Sequence, residues 1–371
     1  MEIEKLKNTI QDCNLNFLIG SGLSVPYFST LGNIELLLTE LNENTTLSVK
    51  KKEIVRVSIL GKYYDSVISQ NPTIVDDTKV TADKTLVMDN YKEFLVLLNT
   101  IVLKRKSSIL NKQVNLFTTN IDVFIEKALE VTQLEYNDGF YGRFNPVFSL
   151  TNFKKSLFKK SLHYDNTSEI PVFNLLKVHG SLTWKSENEK IVYSELKEIE
   201  EIKFQWDAVK TKVIDFTTSD KLDHFITEVA TKTHDNTFND FLVAYDKLAV
   251  VNPTKEKFQD TILNLHYYEL LRVLSNELEK ENTILFILGF SLADEHIREI
   301  VLRAANSNPT LAIKVFAYDS SAKAVIEGNV KKGNTTIRYN NIDFIEPEAP
   351  DNYDFKTINA NIFKAVLDKI D

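Results

Sequence analysis

Short apolar runs punctuate this chain, and most of them end on a glycine or a small polar residue. Residues 16–19 run into Gly20, 114–117 into Thr118–Asn120, and 173–178 into His179 and Gly180. Residues 248–251 stop at Asn252 and Pro253, and 284–288 stop at Gly289. Two more runs lie at 313–317 and 342–345. Apolar runs of this length between turn formers read as buried strands. The stretches between them change period. Phe94, Leu95, Leu98, Ile101 and Val102 recur at helical spacing and predict a helix over 91–104. The same spacing predicts a helix over 261–278, carrying Tyr267, Leu270, Leu271, Leu274 and Leu278 on one face. Further helices are expected in the opening segment, where Ile3, Leu6 and Ile10 share a face, over 122–130, after Asp294, and at the end of the chain, where Ile358, Ile362, Phe363, Val366 and Ile370 share a face.

Wholly apolar strands alternating with helices predict an α/β fold, a Rossmann-like parallel sheet covered by helices on both faces. Two charged tracts of helical texture interrupt it, at 35–106 and 187–246. The expected organisation is therefore a sheet domain made of 1–34, 107–186 and 247–345, a smaller helical layer made of the two insertions, and a C-terminal helix in 346–371. No internal repeat or low-complexity linker is visible.

Composition narrows the chemistry. The 371 residues carry a formal net charge of -8 and a single cysteine, Cys13. One cysteine allows neither an internal disulfide nor a zinc site built on paired cysteines. The first residues are charged rather than apolar, and no apolar window is long enough for a membrane span, so a cytoplasmic protein without membrane contact is expected. The acidic balance argues against a nucleic-acid grip by bulk electrostatics, so direct nucleic-acid binding is not expected. Only a local basic groove would permit it. Lys154, Lys155, Lys159 and Lys160 form a small basic cluster, read here as a solvated surface.

In open parallel sheets, ligands sit at the carboxyl ends of the strands. Five strand tips carry candidate residues: Gly20-Ser21-Gly22-Leu23-Ser24, Thr118-Thr119-Asn120-Ile121-Asp122, His179-Gly180-Ser181, Asn252, and Gly289-Phe290-Ser291 with Asp294 beyond it. Each has a plain structural use. Glycine turns close strands, Asn120 and Asp122 suit a helix start, and Asp294 suits a helix cap. Each also has a chemical one. Glycine-turn amides can cradle a phosphate, and a histidine at a strand tip can act as a base.

Taken in order, these five tips resemble the sirtuin superfamily. Gly20, Ser21, Gly22 and Ser24 match its Gly-Ala-Gly-x-Ser turn, and Asn120 and Asp122 its Thr-Gln-Asn-x-Asp turn. His179 and Gly180 match its His-Gly turn, Asn252 its late asparagine, and Gly289 and Ser291 its Gly-x-Ser turn. The departures are equally specific. The two Cys-x-x-Cys pairs of deacylating sirtuins are missing, Val25 to Ser29 replaces their Asp-Phe-Arg element, and Thr119 replaces a glutamine. The pattern is more similar to a bacterial sirtuin-like branch of anti-phage defence, through His179 to Trp184 and Gly289 to Asp294.

That resemblance implies an NAD glycohydrolase, cleaving NAD to nicotinamide and ADP-ribose without a metal. It implies that Asn120 orients water and ribose and that His179 acts as base. Asp122 would hold the carboxamide, Gly20, Ser21 and Gly22 would face the pyrophosphate with Ser24, Gly289 and Ser291 nearby, and Asn252 would contact the adenosine ribose. It also implies an effector of abortive infection, silent until gated by homo-oligomerisation or by a protein partner, a HerA-type ATPase or an Argonaute-like protein. The residues leave two alternatives: a sensor that binds NAD or ADP-ribose without turnover, and a zinc-less protein deacylase.

Overall fold

The computed structural model describes residues 2–370 except 30–33, 108, 218–219, 251–260, 334–339 and 349–350. Asn252 lies outside the described residues. At its centre is a seven-stranded sheet, all parallel, in the order Ile342–Ile345, Leu311–Phe316, Thr283–Leu288, Asn14–Ile19, Gln113–Thr118, Val172–Lys177, Tyr136–Asn137. The chain belongs to the doubly wound α/β class. From the central strand Asn14–Ile19 it builds outward on one side, then returns to start the other side at Thr283–Leu288. The crevice between those two central strands is the topological switch point, where such sheets bind ligands.

Both faces are buried because both sets of alternating side chains are apolar. Phe17, Ile19, Leu116, Leu175, Phe286 and Leu288 pack on one face with helices of the 35–106 and 187–246 tracts and with the chain terminus. Leu18, Phe117, Leu176, Leu285, Ile287 and Val315 pack on the other, under the helices Thr261–Leu278, Glu295–Ser307 and Ser320–Lys332. One polar position interrupts three of the central strands. Asn16, Asn115 and Asn174 stand in register, and Asn115 Nδ2 donates to Asn16 Oδ1 at 2.9 Å while Asn174 Nδ2 donates to Asn115 Oδ1 at 2.8 Å. A one-residue slip would break this ladder and turn every side chain to the wrong face.

The two helical tracts pack on each other. Tyr64 Oη donates to the Ile199 carbonyl at 3.3 Å, and Trp206 Nε1 donates to Asp65 at 2.9 Å. The terminal segment lays Phe355 and Phe363 against Phe94, with Phe363 also 5.9 Å from Phe17.

The structure differs from the sequence reading beyond His179. A second, antiparallel sheet forms there, in the order Leu248–Val250, Gly180–Glu187, Lys190–Tyr193, Val147–Phe148, Phe140–Tyr141. The apolar run at 248–250 was expected in the parallel sheet and instead pairs with Gly180–Glu187. The 187–246 tract, read as helical, begins with the strand Lys190–Tyr193. Gly180 makes this junction possible. Its φ is +78°, and a Cβ there would lie 2.2 Å from the Ala249 carbonyl oxygen.

Candidate functional site

Four strand ends converge on a cleft of about 440 Å3 at the switch point. That volume falls within the usual range for small-molecule sites. It is lined by Ser21, Gly22 and Ser24, by Thr119 to Asp122, by His179, and by Gly289, Phe290, Ser291, Ala293 and Asp294. Phe28, Tyr63 and Val67 close one side, the last two from the helical tract. The structure thus brings together Ser21, Gly22, Ser24, Asn120, Asp122, His179, Gly289 and Ser291. Gly20 is buried directly beneath them.

The glycine turns serve each other before they serve a ligand. Gly20 N–H donates to the Leu288 carbonyl at 2.9 Å, Gly22 N–H to Gly289 at 3.0 Å, and Leu23 N–H back to Gly20 at 3.2 Å. A Cβ on Gly20 would lie 2.4 Å from the Gly289 oxygen, and one on Gly289, at φ +60°, would lie 2.7 Å from Leu23 N. These glycines therefore let two turns close on each other across the switch point, and the amides of Gly20 and Gly22 are already bonded. Ser21 and the exposed Ser291 supply hydroxyls to the cleft lining.

Asn120 is held in the floor. Its Nδ2 donates to the Gly20 carbonyl at 3.2 Å and reaches Ser24 Oγ at 3.4 Å, while its N–H donates to Thr118 Oγ1 at 3.0 Å. Its Oδ1 is buried and has no hydrogen-bond partner. A buried amide oxygen left unpaired costs about 1–3 kcal/mol, and a bound donor would recover it.

Ser24 is the hub of this floor. Its Oγ donates to Asp122 Oδ2 at 3.0 Å and lies 3.2 Å from the Tyr91 hydroxyl. Asp122 also accepts from Phe124 N–H at 3.1 Å, the capping use its sequence position suggested. Burial pushes the Asp122 carboxyl up from the ordinary carboxylate range, opposed chiefly by the Lys177 ammonium. Lys177, almost fully buried, donates to the Asp122 backbone carbonyl and pairs with Glu126 at 3.0 Å. Burial and the nearby Asp122 push the hydroxyls of Tyr63 and Tyr91 well above the ordinary phenol value.

On the facing wall, His179 Nε2 stands 3.3 Å from Asp294 Oδ2. The contact has ion-pair distance but lacks hydrogen-bond alignment, and that nitrogen has no other hydrogen-bond partner. Asp294 Oδ1 meanwhile accepts from Ile297 N–H at 3.1 Å, capping the helix Glu295–Ser307. Asp294 therefore has two roles, only one of which was read from its position before a helix. Tyr91 and Lys177 were also missed, since nothing local marks a core tyrosine or a strand lysine as part of a site. Among the described residues, no group of three or more His, Cys, Asp or Glu side chains is placed to hold a metal ion. Also among them, no helix is long and apolar enough to cross a membrane.

A doubly wound sheet with Asn, His and Ser side chains around its switch-point cleft is the arrangement in which such α/β proteins hold ligands. A family model described as SIR2-like domain matches residues 114–345, more than half of the chain, and the chain belongs to that family. Family membership carries NAD use with it, as SIR2-like domains are in general NAD-dependent enzymes. The matched span omits the first strand and its glycine turn, which the sheet register nevertheless places at the centre of the cleft. No curated protein matches the chain.

Proposed function

We propose that this chain is an NAD glycohydrolase. The observation that carries the reading is the orphaned Asn120 Oδ1, buried in the cleft that His179 also lines, in a family site that uses NAD. NAD fits the residues present. Asn120 offers an acceptor for a ribose hydroxyl or a water, and Ser21 and Ser291 offer hydroxyls to the phosphates. When bound, NAD supplies a glycosidic bond whose cleavage releases neutral nicotinamide through an oxocarbenium-like transition state.

The chain's own residues then have defined tasks. Asn120, with Nδ2 committed to Gly20 and Ser24, presents Oδ1 as acceptor and orients the nucleophilic water. His179 takes the proton that water loses as it adds to the ribose carbon, and Asp294 stabilises the resulting imidazolium. The balance is NAD and water giving nicotinamide, ADP-ribose and a proton. Asp122 keeps Ser24 and thereby Asn120 in place, and each of its oxygens can accept one more donor, such as the carboxamide. The missing zinc cysteines, which deacylating sirtuins carry, support hydrolysis over protein deacylation.

In the same reading the protein is a cytoplasmic effector of anti-phage abortive infection, gated by homo-oligomerisation or by a HerA-type ATPase or Argonaute-like partner. The support is the resemblance of its His179 to Trp184 and Gly289 to Asp294 elements to that branch. Nicotinamide release from NAD by the purified chain, alone and with each candidate partner, tests the activity. Turnover that Asn120→Ala abolishes is the expected result. Tight NAD binding without nicotinamide release under every condition would replace the enzyme with a sensor.

A further inference from the structure

Away from the cleft, residues 139–164 hold a charge pattern at odds with the rest of the chain. They carry Arg143, Lys154, Lys155, Lys159 and Lys160 and no Asp or Glu, within a protein whose net charge is -8. The structure displays this stretch outward. Phe140–Tyr141 pairs with Val147–Phe148, and Leu157–Lys160 pairs with Thr167–Ile170 as a separate two-stranded sheet. Between the two hairpins, Asn152 donates from Nδ2 to the Gly139 carbonyl at 2.8 Å and accepts from Lys155 Nζ at 3.2 Å. Lys155 Nζ lies 5.6 Å from the centroid of the Tyr141 ring.

The aromatic rings here are unusually bare. Tyr141 is 75% exposed, Phe144 96%, Phe158 63% and Tyr164 73%. Rings that built a core would be covered, and an isolated two-stranded sheet gains little stability of its own. Lys154 leans on Glu277 at 3.5 Å and Lys160 on Asp165 at 2.9 Å. Arg143, Lys155 and Lys159 have no ion-pair partner among the described residues. Bare rings interleaved with unpaired cations are the combination that binds single strands, the cations following the phosphates and the rings stacking on bases.

We propose that the paired hairpins of residues 139–170 bind single-stranded nucleic acid, with Phe144, Phe158 and Tyr164 as stacking platforms and Arg143, Lys155 and Lys159 as phosphate contacts. This revises the expectation drawn from net charge, because residues 139–170 carry five cations against Asp165 and Glu169, and a locally basic surface decides a contact within a Debye length. The site is separate from the NAD cleft, so its test does not depend on NAD turnover.

The test is a titration of the full chain into a fluorescently labelled oligothymidylate, and into its RNA counterpart, across a range of salt. Three phosphate contacts give a log–log salt slope of about −2 on single strands. Lys159→Gln should flatten that slope by about 0.7. Phe158→Ala should weaken binding by at least about fivefold at every salt concentration and leave the slope unchanged. Unchanged melting temperatures of both variants would confirm that the fold is retained, and Tyr164→Ala gives a second stacking variant should Phe158→Ala fail to fold. Absence of oligonucleotide binding at low salt would overturn the proposal. So would binding that both substitutions leave unaltered, or binding to phosphatidylserine vesicles with none to oligonucleotides.

Discussion

The two walls of the cleft hold their polar groups in different ways. On the Asn120 wall, Ser24 ties Asn120, Asp122 and Tyr91 into one buried cluster, and Lys177 braces it from behind. On the His179 wall, one imidazole faces one carboxylate at 3.3 Å without alignment, and that carboxylate is anchored by a helix start. The first wall is built, with a single acceptor left over. The second leaves its imidazole nitrogen without an aligned partner. A rigid orienting group opposite a loosely paired base is the division of labour that water activation requires, since positioning must precede proton transfer.

The sharpest way to break this comparison is to remove each wall's working group. Asn120→Ala and His179→Ala are each expected to lower nicotinamide release by at least about a hundredfold, the scale of a lost positioning group or base. His179→Ala should melt near the parent, whereas Asn120→Ala should melt somewhat lower while remaining folded, because it loses the buried bonds to the Gly20 carbonyl and Ser24. If only His179→Ala lost activity, the Asn120 wall would be a structural floor. If both stayed active, the catalytic assignment would fail.

A second cut goes through the seam between the walls. Gly289→Ala places a Cβ at φ +60° and 2.7 Å from Leu23 N. Strain of about 1–3 kcal/mol is expected for that backbone alone, read as a lower midpoint in urea unfolding. Because the seam holds the turn that leads to Asp294 against the turn that carries Ser24, NAD turnover should fall with stability. A variant that unfolded earlier yet hydrolysed NAD normally would show that the two walls are positioned independently.

What the sequence shows of this site, and what it hides, follows from the range of each interaction. The parallel sheet was legible because fully buried strands such as Thr283–Leu288 must be apolar throughout, and their tips must turn. The joint order of glycine, asparagine and histidine at those tips placed most of the cleft. Contacts between distant segments were not legible. Gly20 and Gly22 read as a phosphate cradle, yet their amides bond to Leu288 and Gly289. Tyr91 meets Ser24 across 67 positions, and within its helix it looks like any core aromatic. The second sheet was missed because Lys190–Tyr193 is too short and too mixed to carry a period.

The pH dependence of stability sharpens the contrast between the walls. Burial raises the Asp122 carboxyl, so the folded protein holds that proton more tightly than the unfolded chain does. The favourable contribution is therefore present below the unfolded value of about 3.9, and it is lost as pH rises through the elevated folded value. Asp122→Asn cannot titrate. Relative to that variant, the parent should lose stability between about pH 4 and neutrality, measured as the difference between the two urea midpoints at each pH. A constant difference would mean that Lys177 fully compensates the buried charge.

Tyr91→Phe probes the most remote member of the built wall. The ring stays, still 5.9 Å from Phe124 and 4.9 Å from Phe355, so packing is preserved. Only the hydroxyl 3.2 Å from Ser24 Oγ is lost. One neutral hydrogen bond is worth about 1 kcal/mol, and the expected loss of stability is of that size. Ser24 keeps its bond to Asp122 without Tyr91, so turnover should fall only severalfold. The loss should appear in kcat and not in KM, because the hydroxyl acts through Ser24 on Asn120 and touches no substrate. Combined with Asp122→Asn, the effect should be less than additive, since both residues hold the same serine. Strict additivity in that double variant would show that Tyr91 and Asp122 act separately, and that the Asn120 wall is a set of neighbours without coupling.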